Sequence, residues 1–376
     1  MHHHLSLFSL ATSCLVVLTA GVPLMPGEPI PNEPRAPQIC RNPPKRLEWR
    51  QMSQSQQKSY IDAVMCLTMT ESKSGIARAI NRFDDHQAVH SVQTPNIHWV
   101  VSIPFIRPLV DHLGYLRTFA NTLQGHFILW HRYLVATYET ALREECGYEG
   151  GQPYWDWSLD ANPHEPNSMA AFSTDVLGPG RYSFGGNGDF VAPTPEQNPL
   201  NLTGGTGGGC VRDGAFTPDR FRVNYGPDPG CLKRDFTPWV LNSFADPARV
   251  QEVLDQSDYA SFARTIEKVP TFDAPNIHGG GHFGVGGVLG TIGNAENSPG
   301  DPLFYLHHGN LDRVLWMWQQ KDPETRLNQV GGPVVPMDYG GQNVTLDFTV
   351  NLGELAGDAT LKQLLDTQSG VLCYTY

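Results

Sequence analysis

Asp301-Pro-Leu-Phe-Tyr-Leu-His-His-Gly-Asn-Leu-Asp-Arg313 opens a helix whose Leu311, Val314, Leu315 and Trp318 recur at helical spacing. Two adjacent histidines stand in its first turns, and Asp312 follows His308 by one turn on the same face. A carboxylate so placed can orient an imidazole from behind, which favours His308 over His307 as a metal ligand. The plain alternative is a buried, capped helix start that happens to carry two polar histidines.

Working outward, His278-Gly-Gly-Gly-His282 sets two more imidazoles at i and i+4, within reach of one metal ion if the segment is helical. A zinc hydrolase needs a Glu beside the first of these as base, and Gly279 fills that place. The sequence holds 14 His. Apart from the three at the N-terminus and His164, they fall between residues 86 and 131 or between 278 and 308. In the earlier group Trp130-His131-Arg132 begins a periodic helix carrying Leu134, Tyr138 and Leu142, with His90 and His98 upstream. Two groups of three imidazoles, with no Cys or carboxylate among them, suit copper. Two three-coordinate Cu(I) ions facing each other can each pass one electron to O2, and neutral imidazoles keep the charge of the pair high enough to draw electrons from a phenolate.

Together, Trp130-His131-Arg132, His278-x3-His282 and the 301–313 stretch resemble the type-3 dinuclear copper family of tyrosinases, catechol oxidases and haemocyanins. Glu144-Glu-Cys-Gly-Tyr148, Gln152-Pro-Tyr-Trp-Asp-Trp157 and His278-Gly-Gly-Gly-His-Phe-Gly-Val-Gly-Gly287 look like short secreted polyphenol oxidases of filamentous fungi, so the resemblance spans nearly the whole mature chain. It implies a mainly α fold with long irregular loops, in which a four-helix bundle holds two copper ions. By the same resemblance His90, His98 and His131 bind one copper and His278, His282 and His308 the other, while Tyr374-Thr-Tyr376 is similar to the tyrosine pair that closes the catalytic domain. Asn96, two residues before His98, replaces the Cys that forms a thioether in some relatives. A C-terminal shielding domain, present in longer relatives, is not expected.

The implied reaction is oxidation of o-diphenols or o-aminophenols to o-quinones by O2. Gly279 stands where many tyrosinases carry Asn, and it has no side chain to hold a water for deprotonating a monophenol. The alternatives that stay open are a tyrosinase that also hydroxylates monophenols, and a non-enzymatic oxygen-binding copper protein. Phe283 and Ile292 fall where relatives line the substrate entrance, although simple packing explains them equally well.

The remaining composition is consistent with an exported enzyme. A net charge of −12 over 376 residues argues against a nucleic-acid partner. Residues 1–20 hold an apolar run ending in small residues and read as a secretory signal peptide, leaving 21–376 as the catalytic domain. No later segment is apolar for long enough to anchor in a membrane. Six cysteines remain after the leader, and of their 15 connectivities the expected one pairs Cys210 with Cys231, Cys66 with Cys146, and Cys40 with Cys373. Asn201-Leu-Thr and Asn343-Val-Thr are glycosylation sequons.

Three helices are expected, over residues 53–82, 131–145 and 306–320. Residues 160–238, rich in Gly, Pro, Asn and Asp, read as a long surface decoration.

One segment departs from the resemblance. His98 and His131 stand 33 residues apart, and removing residues 101–124 leaves His98-Trp-Val-Gly-His-Phe-Ile-Leu-Trp-His131, the short spacing the family implies. Those 24 residues correspond to 72 nucleotides, a multiple of three. Val101-Ser102 can be encoded GTAAGT and Gln124 CAG, the usual intron ends. Residues 101–124 therefore read as a retained intron, the competing reading being a genuine inserted loop, whose closure entropy grows only by ~0.6 kcal/mol per doubling of length. Ile103, Phe105, Ile106, Leu109, Val110 and Leu116 are unusually apolar for such a loop. A further reading makes His112 or His126 a replacement ligand, but His126 sits five residues before His131, poorly placed to share a metal on one helix face.

Overall fold

The computed structural model describes residues 40–97, 124–268, 274–335, 338 and 340–376. The leader, His98, His112 and all of the 101–124 segment except Gln124 lie outside the described residues. The chain divides between Glu33 and Pro34, and every described residue belongs to the second unit.

Among the described residues the architecture is helical: α1 (Gln54–Leu67), α2 (Arg82–Ile97), α3 (Phe127–Cys146), α4 (Pro238–Phe244), α5 (Pro247–Leu254), α6 (Tyr259–Glu267), α7 (Ile277–Gly286), α8 (Leu303–Gln320), α9 (Pro323–Arg326) and α10 (Leu361–Leu365). The only sheet among the described residues is a two-residue antiparallel ladder of β1 (Thr349–Val350) with β2 (Ala359–Thr360). At the centre α3 packs on α1, α2 and α8, and α7 packs on α8, giving the expected four-helix core of α2, α3, α7 and α8.

Ser53 and Gln56 start α1 with a reciprocal capping box. The helix stops at Leu67, well short of residue 82. The buried stripe Tyr60, Val64, Leu67 ends there, and the Thr68 and Thr70 hydroxyls turn back onto the Met65 and Cys66 carbonyls, competing with the helical ladder. Asp85 then gathers the Ser72 and Ser74 hydroxyls and the Lys73 amide at 2.5, 2.6 and 2.8 Å, fixing the turn into α2. Helix α3 ends on Gly147 at φ 69°, a left-handed C-cap whose amide donates to the Leu142 carbonyl.

Residues 160–238 are largely irregular, as expected, yet they are more than a decoration. Phe172, Val176, Leu177, Phe184, Val211, Phe216, Phe221, Leu232 and Phe236 are buried and join the main hydrophobic core. Arg234 of this excursion is fully buried and pairs with both oxygens of Asp301, at 2.6 and 2.7 Å, while Asp301 Oδ1 also accepts from the Leu303 amide at the start of α8. The expected disulfides Cys40–Cys373, Cys66–Cys146 and Cys210–Cys231 all form.

Asp312 ties Arg46 to the C-terminal tyrosines. Its carboxylate takes an ion pair from Arg132 and hydrogen bonds from Arg46 at 3.0 Å and from the Tyr374 and Tyr376 hydroxyls at 2.6 Å each. Burial alone pushes this carboxyl upward, but the two guanidinium groups and the two hydroxyls outweigh it and hold it below the usual carboxylate range.

Candidate metal centre

Helix α2 supplies His90 and α3 supplies His131. Each ring is tethered from behind, His90 Nδ1–H to the Glu296 carbonyl and His131 Nδ1–H to the Phe127 carbonyl, both at 2.9 Å. With those protons committed, each neutral ring carries its lone pair on Nε2, and the two Nε2 atoms lie 3.4 Å apart. Two acceptors this close repel unless a cation lies between them. Burial keeps both rings neutral, pushing His90 down to about 3 and His131 well below its ordinary value. His98, the third member implied by sequence, lies outside the described residues.

The second group is complete. Helix α7 contributes His278 and His282 and α8 contributes His307 and His308, each offering a ring nitrogen within 4.8 Å of the others. His282 Nδ1–H donates to the Ile292 carbonyl at 2.7 Å, directing its Nε2 at His308 Nε2, 3.1 Å away. Burial pushes His282 down to about 4 and His308 well below the usual range. The His131 and His308 rings stack with centroids 4.4 Å apart and 16° between planes, so the two groups share a wall. Phe304 lies edge-on or tilted against His90, His131, His282 and His308 and fills the space beneath them.

Asp312 does not orient His308, contrary to the sequence expectation. Its two oxygens are committed to the arginines and tyrosines described above, and His308 Nδ1 has no hydrogen-bond partner among the described residues. Spacing of one turn places the two side chains on one face without making them touch. Of the three expected pocket residues, Gly279 is buried in the first turn of α7, where its amide donates to the capping Asn276 side chain at 2.7 Å. Phe283 is half-buried against Leu202, Val240 and Phe244. Ile292 is fully buried and serves the site through its carbonyl, as a packing residue. Asn201 and Asn343 are exposed.

Two residues near the site escaped the sequence reading. Glu267, 2% exposed at the end of α6, places Oε1 3.8 Å from His278 Nδ1. Trp157 donates its indole N–H to His307 Nδ1 at 3.1 Å. Nothing in sequence spacing ties either residue to the histidines, although Trp157 ends one of the stretches that carry the family resemblance.

Buried imidazoles, three of them (His90, His131 and His282) with Nδ1–H tethered to backbone carbonyls, are a donor set suited to copper, and two groups of them sharing a wall define the dinuclear class. The common central domain of tyrosinase matches residues 80–321. The chain is 33% identical to the tyrosinase-like protein phomQ1 of Diaporthe leptostromiformis, over 90% of this chain and 79% of that one. It is 30% identical to tyrosinase P of Aspergillus terreus, covering 90% and 93%, and 29% identical to an N-acetyl-6-hydroxytryptophan oxidase of Emericella nidulans, covering 90% and 93%. A polyphenol oxidase from Thermothelomyces thermophila superposes with a TM-score of 0.71 at 29% identity, covering 90% of each chain. The chain belongs to the tyrosinase family, whose oxidases use a dinuclear copper centre.

Proposed function

We propose that this chain oxidises o-diphenols to o-quinones, or o-aminophenols to o-quinone imines, at the expense of O2. His90, His98 and His131 would hold one copper and His278, His282 and His308 the other. The observation that carries the reading is the shared wall of stacked His131 and His308, which puts the two imidazole groups side by side. When bound, the copper pair accepts the two electrons of the diphenol and delivers them to O2. The protein's part is to keep His90, His131, His282 and His308 neutral by burial, to aim His90, His131 and His282 through their carbonyl tethers, and to exclude water with Phe304 and Phe127.

Glu267 favours a second reading, monophenol hydroxylation. Gly279 has no side chain to assist deprotonation, but a buried carboxylate beside His278 is placed to hold the phenolic proton. O2 uptake and quinone formation on paired monophenols, catechols and aminophenols separate the two. On the first reading catechols and aminophenols turn over and monophenols do not. On the second, monophenols also turn over, and Glu267→Gln lowers their turnover at least tenfold more than that of catechols. Uptake of O2 into a stable complex, with no quinone from any of them, would mark an oxygen carrier instead. An ideal Cβ at Gly279 lies 3.1 Å from Asn276 Oδ1, so Gly279→Asn fits after a small shift of that cap and should raise the monophenol-to-catechol ratio.

Secretion belongs to the same proposal. Three disulfides and two exposed sequons accord with export directed by residues 1–20, and no described helix is long and apolar enough to cross a membrane.

A further inference from the structure

Four imidazoles, not three, crowd the second group. Four nitrogen donors around one ion make a closed tetrahedral site, whereas a site that must admit substrate or O2 keeps a position open. Something must therefore withhold one ring, and the hydrogen bonds identify which. An indole N–H can only donate, so His307 Nδ1, 3.1 Å from Trp157 Nε1, must accept. His307 then carries its proton on Nε2, which donates to the His278 carbonyl at 3.1 Å. Both nitrogens are spent, and the ring is held in a tautomer with no lone pair to offer. Its position is fixed from a third side by α7, because an ideal Cβ on Gly281 would lie 2.2 Å from His307 Cε1 and Nδ1. The ring lies nearly parallel to His278 and edge-on to His282, their centroids 6.0 and 4.7 Å away.

We propose that Trp157 is a positioning residue that keeps His307 out of the metal's coordination shell, so that the second site stays three-coordinate and open. The Trp157–His307–His278 chain also ties the α7 carbonyl of one ligand to α8, the helix carrying another. Releasing the indole hydrogen bond frees His307 Nδ1 to become a fourth ligand and closes the site.

The inference rests on reading the second group as a metal site, and its test has a part that does not. In metal-free, 15N-histidine-labelled protein, long-range 1H–15N correlation should show His307 as the Nε2–H tautomer with Nδ1 shifted by an accepted hydrogen bond. A proton on Nδ1 overturns the proposal whether or not metal binds. With Co(II) bound, azide should shift the visible spectrum of the wild type by entering the open positions. Trp157→Phe should lose about half of that response, the share of the second site, and X-ray absorption should count an additional imidazole. Trp157→Phe/His307→Asn removes the intruding ring and should restore the azide response. An unchanged azide response and imidazole count in folded, metal-loaded Trp157→Phe overturns the proposal. A wild type that binds no cobalt at the second group refutes the copper reading itself.

Discussion

His307 and His308 are neighbours in sequence and equally buried, yet their surroundings assign them opposite roles. His308 presents Nε2 to His282 and stacks on His131, while His307 has both nitrogens engaged by Trp157 and the His278 carbonyl. The sequence favours His308 through Asp312, a partner that is in fact occupied by Arg132, Arg46 and two tyrosines; the partners that matter come from residues 150 and 29 positions away and leave no mark in local spacing. His308→Ala should therefore remove about half of the bound copper and nearly all oxidation, whereas His307→Asn should retain the metal; copper analysis of the two purified variants decides it, and the reverse pattern would make His307 the ligand. His86 gives a pH prediction at the same scale. It is fully buried, its Nδ1–H donates to the Arg82 carbonyl at 2.9 Å, and burial followed by the Arg82 charge pushes it down to about 4. Because the folded value lies below the unfolded ~6.5, the unfolded chain takes up the proton first as the pH falls. Its contribution is intact above about pH 6.5 and is lost progressively toward pH 4, on the order of 3 kcal/mol in all. Urea midpoints of metal-free protein should fall less steeply between pH 7 and 4.5 in His86→Phe than in the wild type, and parallel declines would refute the assignment.

Of the four helices that carry the site histidines, α2 and α7 are the hardest to read from sequence, for a physical reason. Helix α2 buries Arg82 through His90 without interruption, with Arg82 paired to Glu145 and Asp85 bound by the Ser72–Ser74 turn. A helix buried on all sides shows no amphipathic period, so nothing in its pattern announces it. Helix α3, with one half-exposed face toward its C-terminal end, is legible, and its observed start at Phe127 is four residues before the expected one. Helix α7 is the extreme case. Five of its ten residues are Gly, each costing ~1 kcal/mol against Ala in a helix interior, and it exists because close neighbours accept no side chain there. An ideal Cβ at Gly284 would lie 2.7 Å from Leu241 Cβ on α4, and one at Gly281 would enter the His307 ring. Gly281→Ala should accordingly displace His307 and weaken metal binding at the second site at least tenfold, although Ala is the better helix former. Gly279→Ala, which meets only the flexible Asn276 side chain, should bind copper as the wild type does. Chelator competition on both variants tests the contrast, and equal affinities would show that the α7–α8 spacing is not fixed by Gly281.

At the scale of the molecule, the motifs disclosed the family, the disulfide frame and the helical class, because each depends on spacing that survives in one dimension. The role of residues 160–238 was hidden because irregular chain has no period, even where it buries Phe172, Phe184 and Phe236 in the core. The 101–124 segment is the place where sequence and fold bear on one question, namely whether those residues belong to the mature protein. The structure fixes both flanks. The Asn96 carbonyl at the end of α2 lies 2.9 Å from His126 Nε2 just before α3, so the chain leaves and returns at one point. The return is anchored at once: Gly125 N–H donates to the Pro333 carbonyl at 3.0 Å, its own carbonyl accepts from the Tyr259 hydroxyl at 2.9 Å, and an ideal Cβ there would lie 2.3 Å from the Gly331 oxygen. Joining Val100 directly to Gly125 leaves four residues between Ile97 and His126, a reach of ~3.3–3.6 Å per residue that comfortably spans flanks already in contact. Removing the 24 residues returns His98 to the spacing from His131 that the family implies. We therefore infer that residues 101–124 are translated intron sequence, absent from the functional enzyme. A tryptic map of the purified protein should contain one peptide running from Phe83 to Val100 and on directly through Gly125 to Arg132, and the spliced transcript should encode it. A peptide carrying Pro108 to Arg117 from active, copper-loaded protein would overturn the inference and make the segment a true insertion beside the first copper site.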